Sequence, residues 1–245
     1  MLGKSQAKYI QSLGQKKVRD VEGVFIAEGP KIVAELLASP DMNVESVYAL
    51  QDWIDAHPGY AGMRNLVEVN EHDLAKISQL TTPNGVLAIV KKKNFPAPTT
   101  LRGSVSLVLD TIQDPGNMGT IIRTADWFGV RQVVCSNDCA DIYNPKVVQA
   151  TMGSIIRVNT MYTDLESWLA EQPGIPIYAA SLQGENVKEM KSISEGLLII
   201  GNESRGIAPG IMKLVTKKIT IPRTGQAESL NAAVAAGILL SHLAK

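Results

Sequence analysis

The chain has 245 residues, 45% of them hydrophobic, enough for a full apolar core in one large domain or two small ones. Lysine plus arginine equals aspartate plus glutamate at 24 each, with 11 of each in residues 1–100 and 13 of each in 101–245, so a global basic field is excluded and any nucleic-acid contact must come from local patches. Cys135 and Cys139 stand without a second Cys or His pair at ligand spacing, which argues against a metal site and for a reducing compartment. No apolar run approaches the roughly 20 residues of a membrane span, so the expected location is cytoplasmic, with no membrane partner.

In chain order, residues 1–22 carry Lys4, Lys8, Lys16, Lys17 and Arg19 against Asp20 and Glu22, with Ile10, Leu13 and Val18 as sparse apolar anchors. They read as one basic leading helix, either a solvated face or a phosphate-contacting one. Val24 to Ala27 reads as a strand, Glu28-Gly29-Pro30 as a loop, and Ile32, Val33, Leu36 and Leu37 recur at helical spacing behind a proline suited to the first turn. Strands are expected at 44–50, 66–69 and 86–90, with helices at 51–57 and 71–79. This alternation describes a small α/β domain over 1–93. Residues 94–102, with Pro96 and Pro98 and no apolar periodicity, read as a semi-rigid linker.

The second domain, 103–245, opens on the strand Val105 to Leu109 and a loop from Thr111 to Gly119, followed by a helix to Phe128. Further strands are expected at 131–136, 155–158, 177–181 and 197–201, and helices at 145–152, 165–171 and 208–215. Leu107–Leu109, Val133–Val134 and Leu197–Ile200 are apolar on successive residues, as in a parallel sheet covered on both faces. A last strand end, Ile221-Pro222, leads through Gly225 to Ser229, a candidate N-cap for an almost wholly apolar helix running to Leu240.

Three loops therefore stand at the C-terminal ends of buried strands, where open α/β sheets bind ligands: 114–123, 201–206 and 221–231. The first lacks the spacing of either glycine-rich nucleotide loop. The second places Glu203 directly after an apolar strand, between Gly201 and Gly206, and a carboxylate there needs a partner or a task. Read alone, Asn117 is equally a turn former and Ser229 equally a helix cap. With no histidine in any of the three loops, Ser229 is not a protease-type nucleophile.

Asn117-x5-Arg123-Thr124-Ala125, Gly201-x-Glu203-x2-Gly206 and Ile221-Pro222-x2-Gly225-x3-Ser229-Leu230-Asn231 occur in this order. Together they resemble the three motifs of the SpoU (TrmH) class of RNA ribose 2′-O-methyltransferases in the SPOUT superfamily, over about residues 103–245. Phe25-Ile26-Ala27-Glu28-Gly29 and Thr82-Pro83-Asn84-Gly85-Val86-Leu87-Ala88 are similar to the ribosomal-protein-L30e-like substrate-binding extension of that class. The resemblance implies an α/β fold whose C-terminal domain carries a deep trefoil knot, a homodimer formed through that domain, and S-adenosyl-L-methionine as cofactor. By motif position Gly201, Glu203, Gly206, Ile221, Pro222, Ser229, Leu230 and Asn231 would hold the cofactor, and Arg123, Asn117, Glu203, Ser229 and Asn231 would serve catalysis. Lys16, Lys17, Arg19, Glu28 and Arg123 would contact RNA, with 23S rRNA ahead of tRNA. The other class of reading is an RNA-binding protein that keeps the fold without activity, against which the intact motif residues argue.

In the class, Arg123 is the residue proposed to assist proton removal from the ribose. An arginine is neutral at neutral pH in only roughly a hundred-thousandth of molecules or fewer unless its surroundings act strongly, so a phosphate-anchoring role with late proton loss is the alternative.

Overall fold

The computed structural model describes residues 2–93 and 101–244; positions 94–100 of the expected linker lie outside the described residues. Described residues 2–93 and 143–156 form one compact unit, and 101–142 and 157–244 form the other.

The first unit is built from α1 (Lys4–Ser12), α2 (Lys16–Glu22), β1 (Val24–Glu28), α3 (Pro30–Ala38), β2 (Val44–Ala49), α4 (Gln51–Ala56), β3 (Leu66–Glu68), α5 (Glu71–Ile77) and β4 (Val86–Lys91). Its sheet runs β1-β4-β2-β3, antiparallel except for the β2–β3 pair. Ile10 and Leu13 from the leading segment and Leu74 and Ile77 from α5 bury against Val24, Ile26, Leu87 and Ile89 of the sheet.

The single basic leading helix is corrected to two. The chain breaks around Gly14, a poor helix residue, and Gln15 is extended. The break leaves carbonyls at the end of α1 without helical partners, and Arg19 satisfies them by donating from Nη1 to Leu13 O at 3.0 Å and Gly14 O at 2.8 Å. Arg19 is consequently 1% exposed and cannot meet RNA phosphate, whereas Lys16 and Lys17 are exposed.

Glu28 is also corrected. At 4% exposure, its carboxylate accepts from Ser78 Oγ at 2.5 Å and Gln79 N at 2.7 Å, clasping the segment behind α5 to the end of β1. Burial raises its carboxyl above the ordinary value and the two hydrogen bonds oppose that shift. Its role is internal.

The other elements are β5 (Val105–Leu109), α6 (Pro115–Trp127), β6 (Gln132–Ser136), α7 (Pro145–Thr151), β7 (Asn159–Thr163), α8 (Leu165–Ala170), β8 (Ile177–Asn186), β9 (Gly196–Ile200), α9 (Pro209–Met212), β10 (Lys217–Thr220) and α10 (Ala232–Leu243). All but α7, which belongs to the first unit, make up the second unit. Its six strands are all parallel in the order β10-β8-β9-β5-β6-β7. The most apolar runs, β5 and β9, pair with each other at the centre, which is why the expected parallel sheet was visible in composition. Val108, Val134, Leu197 and Ile199 pack with Leu165, Leu169 and Ile211 of α8 and α9. Alternation turns Leu107, Leu109, Leu198 and Ile200 to the opposite face, and α6 and α10 pack on each other, with α10 also meeting β9.

The strand expected at 155–158 is instead a 3-10 turn, Ser154–Ile156, and the strand of that region is β7, paired with β6 from Gln132↔Asn159 to Ser136↔Thr163. As an edge strand with polar Asn159, Thr160 and Thr163, it lacks the apolar run that marked its neighbours. Among the described residues no helix is long and apolar enough to cross a membrane.

Candidate active site

The C-terminal ends of β5, β9 and β10 deliver the three expected loops, and hydrogen bonds join them. Asn117 lies in the first turn of α6, where Asp114 Oδ1 caps the helix by accepting from Asn117 N at 2.7 Å. Its Nδ2 donates to Glu203 Oε1 at 2.5 Å, and its Oδ1 accepts from Asn231 Nδ2 at 2.8 Å. Asn231 Oδ1 in turn caps α10, accepting from Ala233 N at 3.0 Å and Val234 N at 3.3 Å. Glu203 Oε1 also accepts from Ala232 N at 3.3 Å.

Glu203 thus accepts from the first amide of α10 and from the Asn117 side chain in the first turn of α6, and the positive end of the α10 dipole favours its negative charge there. Asn231, not Ser229, is therefore the N-cap of α10, a correction with a plain reason: Ser229 lies three residues before Ala232, too far out to reach its first amides.

Beside this cluster lies a cavity of about 640 Å³, within the usual range for small-molecule sites. Gly201, Glu203, Gly206, Ile221, Pro222, Ser229 and Leu230 all line it, joined by Ala180–Gln183 from β8, by Ile200 and by Leu239 of α10. A Cβ on Gly201 would come within 2.6 Å of the Gly206 carbonyl carbon, so the close approach of the two strands of this loop depends on glycine. Asn202 and Gly206 pair backbone to backbone in both directions, at 3.2 and 2.9 Å, and Gly206 takes a left-handed φ of 70°.

Arg123 is placed differently. It is exposed on α6, six residues beyond Asn117, and no hydrogen bond or ion pair holds it among the described residues. Ser229 is likewise exposed. The structure brings Asn117, Glu203 and Asn231 into direct contact and leaves Arg123 outside that network.

The supporting residues were not singled out in the sequence. Asp110, at the end of β5, is buried and its Oδ2 accepts from Ala208 N at 2.7 Å, tying the loop after β9 to β5. Thr111 follows with φ 59°, a left-handed conformation that costs a β-branched residue on the order of 1–3 kcal/mol. It is held by Ser136 Oγ, which accepts from Thr111 N at 2.9 Å, while its own hydroxyl lies 3.0 Å from both Asp110 Oδ1 and Asp138 Oδ2. The Ser136 hydroxyl, donating to Asp138, lowers that carboxyl below its ordinary value. The signal that could have found Asp110 is the one that found Glu203, a carboxylate at the end of an apolar strand. Among the described residues no group of three or more His, Cys, Asp or Glu could hold a metal ion, and both cysteines are free and buried.

The SpoU rRNA Methylase family model matches residues 104–241, and an MRM3-like substrate binding domain model matches 4–88. The chain is 32% identical over 238 residues, 95% of its length and 93% of the relative's, to the 23S rRNA (guanosine(2553)-2′-O)-methyltransferase RlmP of Bacillus subtilis. A putative RNA methyltransferase of the TrmH family from Porphyromonas gingivalis superposes with TM-score 0.86 at 37% identity, covering 99% of this chain and 98% of that one. The AdoMet-bound rRNA methyltransferase from Sinorhizobium meliloti superposes with TM-score 0.86 at 29% identity, covering 99% and 95%. With a family model spanning more than half its length, the chain belongs to the SpoU rRNA Methylase family.

Proposed function

We propose that this protein transfers a methyl group from S-adenosyl-L-methionine to a ribose 2′-hydroxyl of 23S rRNA. The observation that carries the reading is the Asn117–Glu203–Asn231 network beside a cavity of about 640 Å³. The cofactor, when bound, supplies an electrophilic sulfonium methyl. The residues present fit it: Ile221, Leu230 and Leu239 give apolar walls, while Gly201 and Gly206 keep the backbone open to close approach. RlmP supports the rRNA assignment through its named substrate, and the AdoMet-bound Sinorhizobium rRNA methyltransferase supports the cofactor.

In this reading the chain's own groups position and neutralise. Asn117 and Asn231 orient the ribose, and Glu203 offsets positive charge in the cavity. Ser229 supplies a short hydrogen bond to substrate or cofactor. Arg123 anchors the target nucleotide's phosphate through its planar fork, and the ribose proton leaves late to water. A second copy covers the α6–α10 face, where Trp127 of α6 is 83% exposed and Val234 of α10 is also exposed; sedimentation velocity reads that association directly. The reading also includes a terminal helix passed through an earlier loop. In its support, α10 begins at Ala232, whose N–H donates to Glu203 in the loop after β9, and ends with Leu243 O accepting from Ile193 N before β9, so it runs the length of that strand.

Lys16 and Lys17, exposed on α2, contact RNA phosphates in this reading, without Arg19 or Glu28. Replacing both lysines with glutamine is expected to weaken RNA binding and reduce the slope of log K against log salt by about 1.4 to 1.8. An unchanged slope in filter binding would return α2 to a solvated surface. The reading as a whole is tested by mapping ribose methylation in RNA from cells with and without the gene.

A further inference from the structure

We propose that Asn202 is a positioning residue for methyl transfer, its carboxamide bridging the strained Thr111 carbonyl and the Ser204–Arg205 turn and so setting where Glu203 holds Asn117. The inference rests on the methyltransferase reading and adds to it a residue at an unspecified position of the second motif.

Asn202 Nδ2 donates to Thr111 O at 2.9 Å, across 91 residues of sequence. Its Oδ1 accepts from Ser204 N at 2.9 Å and Arg205 N at 3.1 Å. Both acceptor directions of Oδ1 are thereby used inside the protein, so Asn202 has no free acceptor to offer a substrate hydroxyl and acts through its neighbours. Residues 203–206 are all exposed, and no apolar burial fixes their turn. What fixes it is this carboxamide and the Asn202–Gly206 backbone pair. Glu203, the residue between the two anchored points, then presents Oε1 to Asn117 and Ala232.

Thr111 shows that the bridge is specified from both ends. A β-branched residue keeps a φ of 59° only where its surroundings over-determine it, and here its N–H, hydroxyl and carbonyl are each engaged. That conformation turns the carbonyl toward Asn202 instead of along the β5 ladder. Loop 111–117 and loop 201–206 are thus locked at one point, and their lock sets the distance between Asn117 and Glu203.

The test measures kcat by transfer from tritiated S-adenosylmethionine to 23S rRNA isolated from cells lacking the gene, and cofactor Kd by calorimetry. Wild type, Asn202→Ala and Asn202→Asp are compared. Asn202→Asp keeps the acceptor for the turn but replaces the donor to Thr111 with a carboxylate oxygen. Both variants are expected to lose about 100-fold in kcat, the scale of a 1 Å misplacement, with Kd within about threefold of wild type. Should Asn202→Ala fail to fold, Asn202→Asp decides alone. Near-parental kcat in Asn202→Asp would overturn the bridge, as would losses of kcat and cofactor affinity in equal proportion. Absence of transfer by wild type would instead contradict the methyltransferase reading.

Discussion

Arg123→Ala is expected to lower kcat/KM for rRNA about a thousandfold while leaving cofactor Kd and thermal stability at their parental values. The expectation comes from where the side chain stands. Six residues of α-helix separate Arg123 from Asn117 by about 9 Å along the axis and about 240° around it, so the two cannot act as one hydrogen-bonded pair from the same face. Arg123 is exposed and makes no hydrogen bond or ion pair among the described residues, so its truncation removes no internal interaction and leaves the melting temperature unchanged. A planar guanidinium with no partner among the described residues suits a phosphate, which it can grip with two parallel N–H donors. Arg123→Lys keeps the charge without the fork and should recover only part of the loss. A parental rate in Arg123→Ala, with wild-type cofactor affinity, would remove Arg123 from the mechanism.

Gly201→Ala should act on the other half of the site. The added methyl would meet the Gly206 carbonyl carbon at 2.6 Å and Ile207 Cγ1 at 2.7 Å, and the first of these is backbone already fixed by its pairing with Asn202. Relief requires the loop to open by several tenths of an ångström, at a cost of about 1–3 kcal/mol. Because the same loop lines the cavity, cofactor affinity is expected to fall about 10- to 100-fold by calorimetry. Methyl transfer at saturating cofactor should suffer less. Unchanged affinity would mean that this glycine serves the fold alone.

Much of the fold was legible because burial on both faces leaves a local signature. β5 and β9 are apolar on consecutive residues and lie at the sheet centre, and Glu203 stood out because it directly follows such a strand. β7 escaped because an edge strand needs no such run. Arg19 and Ser229 show a different limit. A charged residue among lysines reads as surface, yet Arg19 closes the end of α1 from inside, and the cap expected of Ser229 falls to Asn231, whose place depends on where α10 begins. The contact between Asn117 and Glu203 spans 86 residues and that between Asn231 and Asn117 spans 114. No local period encodes such pairs. The motif order named these residues, and the parallel topology made them neighbours. Thr111 lies outside the motifs and Asn202 at a position the second motif leaves unspecified, and only their backbone and hydrogen bonds distinguish them.

The central claim, ribose methylation of 23S rRNA, is tested most directly by mapping 2′-O-methylated nucleotides across total RNA from cells with and without the gene. The account predicts that one ribose methylation in 23S rRNA disappears on deletion, returns with the wild-type gene and does not return with Arg123→Ala. Persistence of every ribose methylation, or loss confined to tRNA, would contradict it.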